Sequence, residues 1–202
     1  MFKNKVTPVD FWSPIALIIK SACNDFDNIW IKRKRIIDTH LLIIFILKLV
    51  MSKNKQGYSS VLAELWENEA LWSLKFKPVS ASSVCEARQK MPENIFTTIN
   101  QELITHQEKK IPSILWHGHR VFGVDGCKVN LPRKLLKSGY KAPNQDQYYP
   151  QGLLSTLYHL GSCLVYDGIL SADRCERTCL LAHMERLKSN DVIVLDRGYF
   201  SY

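Results

Sequence analysis

Apolar positions follow two regimes along this chain. Up to about residue 110 they recur at helical spacing, and beyond it they come in short β-prone runs or alternate with polar residues. Ser13-Pro14 reads as an N-cap followed by proline at the first helical position, which predicts a short helix through Ile15, Leu17, Ile18 and Ile19. A longer second helix is expected over about Asn28 to Met51. Val61, Leu62, Leu65 and Trp66 repeat at helical spacing after Gly57 and Ser59. Ser80 to Ser83 starts another helix through Val84, Ala87 and Arg88, ending at Met91-Pro92, and Pro92 opens one through Ile95, Phe96, Ile99 and Leu103. Gln107 to Pro112 is the best boundary, which divides the chain into a helical region over 1–110 and a second region over 111–202.

In the second region the run Val121 to Val124 leads into Asp125, and Cys127, Val129 and Leu131 then alternate with Lys128 and Asn130. With Gly126 between them, allowing a close backbone approach or a bulge, these predict a strand and its antiparallel neighbour. A polar loop (Lys141 to Gln147) precedes further strands at Leu153 to Tyr158 and near Cys163 to Tyr166. A helix from Asp173 to about Lys188 is expected, with Asp173 and Glu176 as a capping-box-like start. Val192 to Leu195 is a final apolar strand. This order predicts an α+β fold, with Val192 to Leu195 buried beside the Val121 strand in a mixed sheet.

The continuous run Leu41 to Leu47 raises the question of a membrane. A spanning helix needs about 18 or more apolar residues, and Asp38, Thr39, His40 and Lys48 cut this one short, so a buried helix is predicted. The N-terminus lacks a signal-peptide layout, because Lys20 and Asn24 interrupt its apolar stretch and no small-residue cleavage site follows. A cytoplasmic protein is expected. Lys+Arg number 27 against 19 Asp+Glu, a net charge of +8, which favours polyanionic partners without proving one. The cluster Lys32, Arg33, Lys34 and Arg35 reads equally as a solvated helical turn or as a phosphate-contacting patch. Six cysteines are scattered without zinc-finger spacing, as expected of small buried residues in a reducing compartment. His117-Gly118-His119 reads as an exposed turn before the first strand.

Asp125 and Asp196 are the candidate chemistry. Phosphodiester chemistry needs chiefly hard cations about 3.5–4 Å apart. Mg²⁺ prefers carboxylate and water oxygens, so two carboxylates on adjacent strand ends plus a third from elsewhere would suit it. Taken alone, an aspartate at a strand end is a turn or solvated residue more often than a ligand. The wording around both residues adds more: Gly123-Val124-Asp125-Gly126-Cys127-Lys128-Val129-Asn130-Leu131-Pro132, Pro150-Gln151-Gly152-Leu153-Leu154-Ser155, and Val194-Leu195-Asp196-Arg197-Gly198-Tyr199-Phe200. With Ser82 to Pro92 upstream, these motifs resemble the DDE transposases of bacterial insertion sequences, in the branch named after insertion sequence four.

The resemblance implies a ribonuclease-H-like mixed sheet with flanking helices, on which Asp125 and Asp196 bind Mg²⁺ or Mn²⁺ for DNA strand cleavage and transfer. It implies DNA as partner, the terminal inverted repeats of a mobile element bound by the N-terminal helices, and a homodimer. Arg197 is expected to contact phosphate or pair with a carboxylate, and Tyr199 to pack or stack near DNA; both fit a strand-exit turn equally. Lys128 is a further phosphate candidate. Two departures stand out. Cys127 replaces a residue that is more often a small hydroxyl, and no Glu follows Asp196 in the family's pattern of Tyr, two residues, Arg, three residues, Glu. The expectation is a truncated transposase remnant lacking its third carboxylate, with the strand at Val192 to Leu195 left as an open edge. The alternative is a catalytically inactive DNA-binding protein that occupies inverted repeats and inhibits an intact transposase.

Overall fold

The computed structural model describes residues 8–30, 36–52, 57–67, 77–110 and 114–199, with side chains from Ile15 to Ile29 in the first of these segments. The fold is α+β. It divides into two compact units, Met1–Leu103 and Ile104–Tyr202, and the division falls inside a helix rather than at 110.

The first unit is helical: α1 (Pro8–Trp30), α2 (Thr39–Met51), α3 (Tyr58–Glu67), α4 (Ala81–Lys90) and the start of α5 (Ile95–Lys110). Two expectations are corrected. The first helix begins at Pro8 and runs on through Pro14 and Asn28, and the second begins only at Thr39. Asp38 makes the break: its backbone is extended, and its Oδ1 accepts the Leu41 N–H at 2.8 Å, capping a new helix. Asp27 of α1 accepts the Thr39 N–H at 2.8 Å and also the Thr39 hydroxyl, so a second donor of the first turn is satisfied. Lys32 to Arg35 lie outside the described residues.

The apolar run of α2 is explained by burial on two sides. Leu41, Leu42 and Phe45 pack with Val61, Leu62, Leu65, Val84 and Ala87, whereas Ile43 packs with Ala22, Cys23, Phe26, Ile95 and Ile99. Among the described residues no helix is long and apolar enough to cross a membrane. Burial, with Asp27 and Asp38 nearby, pushes the Cys23 thiol up to about 12, so it behaves as a small packed residue.

In the second unit four strands lie in the order β3-β2-β1-β4: β1 (Arg120–Asn130), β2 (Gln151–His159), β3 (Leu164–Ser171) and β4 (Asp191–Val194). A turn at His117-Gly118, with both φ values positive, precedes β1, closed by paired bonds between Trp116 and His119. β1 is one continuous strand, not two with a bulge at Gly126, because its pairing with β2 runs unbroken from Phe122↔His159 to Asn130↔Gln151. Gly126 does serve a close approach: a Cβ there would lie 3.0 Å from Leu153 Cδ1 and 3.3 Å from Glu176 Oε1. Helix α6 (Glu176–Met184) is shorter than expected at both ends, with Cys175 at the N-cap and no side-chain cap bond. Asp173 instead accepts a long bond from the Thr178 hydroxyl at 3.4 Å, so the capping box does not form.

The two faces of the sheet differ. One carries Phe122, Val124 and Leu157, packed with Tyr199 and with Leu180, Leu187, Ile193 and Leu195. On the other, Val121, Val192 and Val194 join Ile114, Leu115, Trp116 and Leu160 around an apolar hollow of about 510 Å³. β4 is therefore an edge strand covered on one face only, and Val194 is 52% exposed, not buried as its sequence suggested. Inside the covered face, Ser155 Oγ lies 3.1 Å from His183 Nε2, whose Nδ1 lies 2.9 Å from Asp167 Oδ2. This Ser-His-Asp series ties α6 to β2 and β3. Ser155 and His183 are fully buried, so no substrate reaches the hydroxyl and the role is structural.

β1 and β4 are joined at their start by Arg120. Its Nε and Nη2 donate to both Asp191 oxygens at 2.8 and 2.6 Å, and its Nη1 donates to Glu108 of α5 at 2.8 Å. Burial pushes the Asp191 carboxyl up, but the Arg120 and Lys188 N–H bonds and the Arg120 charge outweigh it and hold the group below its usual range. A depressed carboxyl contributes stability that is present above its unfolded value of 3.8 and lost as pH falls through the folded one. Arg120→Ala leaves the Asp191 carboxylate buried and unpaired, and is expected to destabilise the second unit by about 3–5 kcal/mol at pH 7. The loss should shrink below about pH 4, read by urea unfolding at the two pH values.

Candidate functional site

The parallel register of β1 and β4 runs from Arg120↔Asp191 to Gly123↔Val194. The pairing ends there, two residues before Asp125 on β1 and two residues before Asp196, which lies beyond the end of β4. Asp125 lies within β1 rather than at its end, while Asp196 follows the last residue of β4. Both are exposed. Asp125 Oδ1 accepts the Gly126 N–H and Asp196 Oδ1 the Gly198 N–H, each at 2.8 Å. One oxygen of each carboxylate is thus engaged by local backbone.

Arg197-Gly198-Tyr199 form a 3₁₀ turn closed by a 3.4 Å bond from the Tyr199 N–H to the Asp196 carbonyl. Arg197 is exposed. Tyr199 is only 7% exposed and packs in the core with Phe122 and Val124, which is the packing role of the two left open by the sequence. Its hydroxyl is buried without a hydrogen-bond partner among the described residues. Burial, followed by the charges of Glu176, Asp125 and Asp196, pushes this phenol up to about 12.

Glu176 is the acidic residue that sequence reasoning did not bring to this place. Read as part of a cap, it instead reaches the Gly126 position of β1 on the face covered by α6, whereas strand alternation turns Asp125 to the other face. Its signal was Gly126, whose missing side chain makes the room. Even so, among the described residues no three His, Cys, Asp or Glu side chains gather to hold a metal ion. The donor chemistry of Asp125 and Asp196 fits a hard cation; the number of donors falls short of a closed site. Lys128 is exposed on β1, three residues beyond Asp125. No protein-family model matches the chain, and neither a curated protein nor a solved structure does.

Replacing Tyr199 by Phe removes a buried hydroxyl that has no partner, so Tyr199→Phe is expected to be neutral or to stabilise by up to about 1 kcal/mol. Because the folded-state phenol is raised from 10.0 to about 12, its contribution is complete below pH 10 and lost as pH rises towards 12. The variant should therefore lose less stability over that alkaline range, measured by thermal unfolding against pH.

Proposed function

We propose that this chain is a transposase-type DNA-binding protein with a ribonuclease-H-like second unit. The observation that supports this best is that Asp125 lies on β1 and Asp196 two residues past the end of β4, its parallel neighbour in a mixed sheet. Both sit inside the motifs that resemble the insertion-sequence transposases. The work of the full reaction is strand cleavage and transfer at the inverted repeats of a mobile element. Asp125 and Asp196 would hold Mg²⁺ or Mn²⁺, which when bound supplies a Lewis acid at phosphorus and an activated water. The chain's own residues contribute negative charge at the cation, through the carboxylate oxygens not engaged by Gly126 and Gly198. Arg197 and Lys128, both exposed, would meet phosphate on this reading. The cytoplasm is the compartment in which such a protein meets its DNA.

The inactive DNA-binding alternative is favoured by one specific observation, the shortage of a third metal donor. These 202 residues are accordingly expected to occupy inverted-repeat DNA without cutting it. Incubated with end-labelled inverted-repeat duplex and Mg²⁺ or Mn²⁺, the chain should give no strand cleavage. Metal-dependent nicking abolished by both Asp125→Asn and Asp196→Asn would refute the inactive reading and identify the pair as catalytic.

Binding itself is expected to weaken steeply with salt, because it rests on counterion release by a chain of net charge +8. Neutralising Lys32, Arg33, Lys34 and Arg35 together should lower the slope of log affinity against log salt on duplex DNA by up to about 3.6, at about 0.9 per phosphate contact. Fluorescence anisotropy titrations at several salt concentrations measure it. An unaltered slope would leave the cluster as a solvated turn.

A further inference from the structure

The connection between β1 and β2 carries chemistry that the carboxylate pair does not use. Arg133, Lys134 and Lys137 sit on one 3₁₀ turn, Arg133–Ser138, and Lys141 follows shortly after. All four are exposed, and none forms an ion pair with a carboxylate among the described residues. Asp146 is the one acidic residue between Leu131 and Pro150, so the segment is a concentrated positive surface. It is also anchored. The Leu131 N–H donates to the Pro150 carbonyl at 2.8 Å, the Gln151 N–H to the Lys141 carbonyl at 3.0 Å, and the Tyr140 hydroxyl to the Leu170 carbonyl at 3.3 Å. Gly139, with φ of 88°, ends the turn in a backbone conformation that favours glycine. Cations on such a frame lose less freedom on binding than cations on a loose tail.

Two aromatic rings complete the surface. Tyr148 and Tyr149 are 62% and 51% exposed, with ring centroids 5.0 Å apart and planes nearly perpendicular. The Arg133 guanidinium lies 4.2 Å from the Tyr148 ring centroid, so the first cation of the connection meets the aromatic pair at its far end. At the other side, Lys141 and Arg174 line a polar cleft of about 520 Å³ between this connection and the start of α6. Asp173 and the exposed Cys175 also line that cleft.

We infer that this face binds an unpaired DNA strand, with phosphates along Arg133, Lys134, Lys137, Lys141 and Arg174 and a base stacked at the Tyr148–Tyr149 pair. The inference rests on the DNA reading above and adds which form of DNA the second unit takes. Cations alone serve a duplex backbone, whereas exposed rings beside cations match the stacking platforms that hold single strands. Lys128 continues the positive path along β1, about 10 Å from Asp125 at about 3.3 Å per residue.

The test uses anisotropy of the 202-residue chain with a labelled mixed-sequence single strand and with a duplex of the same sequence. Tyr148→Ala with Tyr149→Ala is expected to weaken single-strand binding about tenfold or more, with duplex affinity changed by less than about twofold. Arg133→Ala, Lys134→Ala and Lys137→Ala together should lower the single-strand salt slope by about 2, at about 0.7 per phosphate. All five side chains are exposed, and circular dichroism checks that the variants fold. Single-strand binding unaltered in both variants, or a chain that binds duplex but not single strands, overturns this inference and leaves the DNA reading standing. A chain that binds neither form overturns both.

Discussion

The pairing of Arg120 with Asp191 is the constraint on which the second unit's site depends. Two N–H bonds of 2.8 and 2.6 Å lock the first residues of β1 and β4 in register. A buried ion pair is weak support for stability in itself, because desolvation offsets much of the attraction. Its value lies in specificity. A slip of one residue would unpair both charges and turn every β4 side chain to the other face. Held as it is, the register fixes the strands that lead towards Asp125 and Asp196. Glu108 extends the lock: it accepts from Arg120 and from the Tyr166 hydroxyl at 2.6 Å, which joins the end of α5 to the sheet.

A second polar arrangement fixes the covered face. Ser155, His183 and Asp167 bring together β2, α6 and β3 through contacts of 3.1 and 2.9 Å. The order of groups is that of a hydrolase triad, yet complete burial of the serine and histidine makes it an internal tie. Its consequence is directional. With α6 held on one face, the other keeps its apolar hollow. α6 also sets Glu176 against the gap left by Gly126.

The site is therefore acidic, while the β1–β2 connection is basic and bears exposed aromatic rings. This separation of charge suits a polyanion whose backbone is gripped by cations and presented to carboxylates that act through a divalent ion. On the proposed reading the two surfaces have complementary tasks. Binding falls to the connection and to the first unit, and chemistry to the paired aspartates once their coordination is completed.

Local order was legible from sequence wherever one short-range signal decided it. Ser80 caps α4 by accepting the Ser83 N–H, most of the apolar run of α2 is buried, and β2 and β4 fall close to their expected places. Each depends on propensity and on an apolar period within one segment. The break that Asp38 makes before Thr39 is reinforced by Asp27, a partner twelve positions away, and the continuity of β1 through Gly126 depended on unbroken pairing with β2. The burial of Tyr199 and the approach of Glu176 to β1 likewise needed the packed sheet and helix. The sequence by itself determined an α+β chain and the identity of its two candidate carboxylates. Only the tertiary structure decided the order of all four strands and which face α6 covers, because long-range pairing and burial depend on contacts that no local pattern encodes.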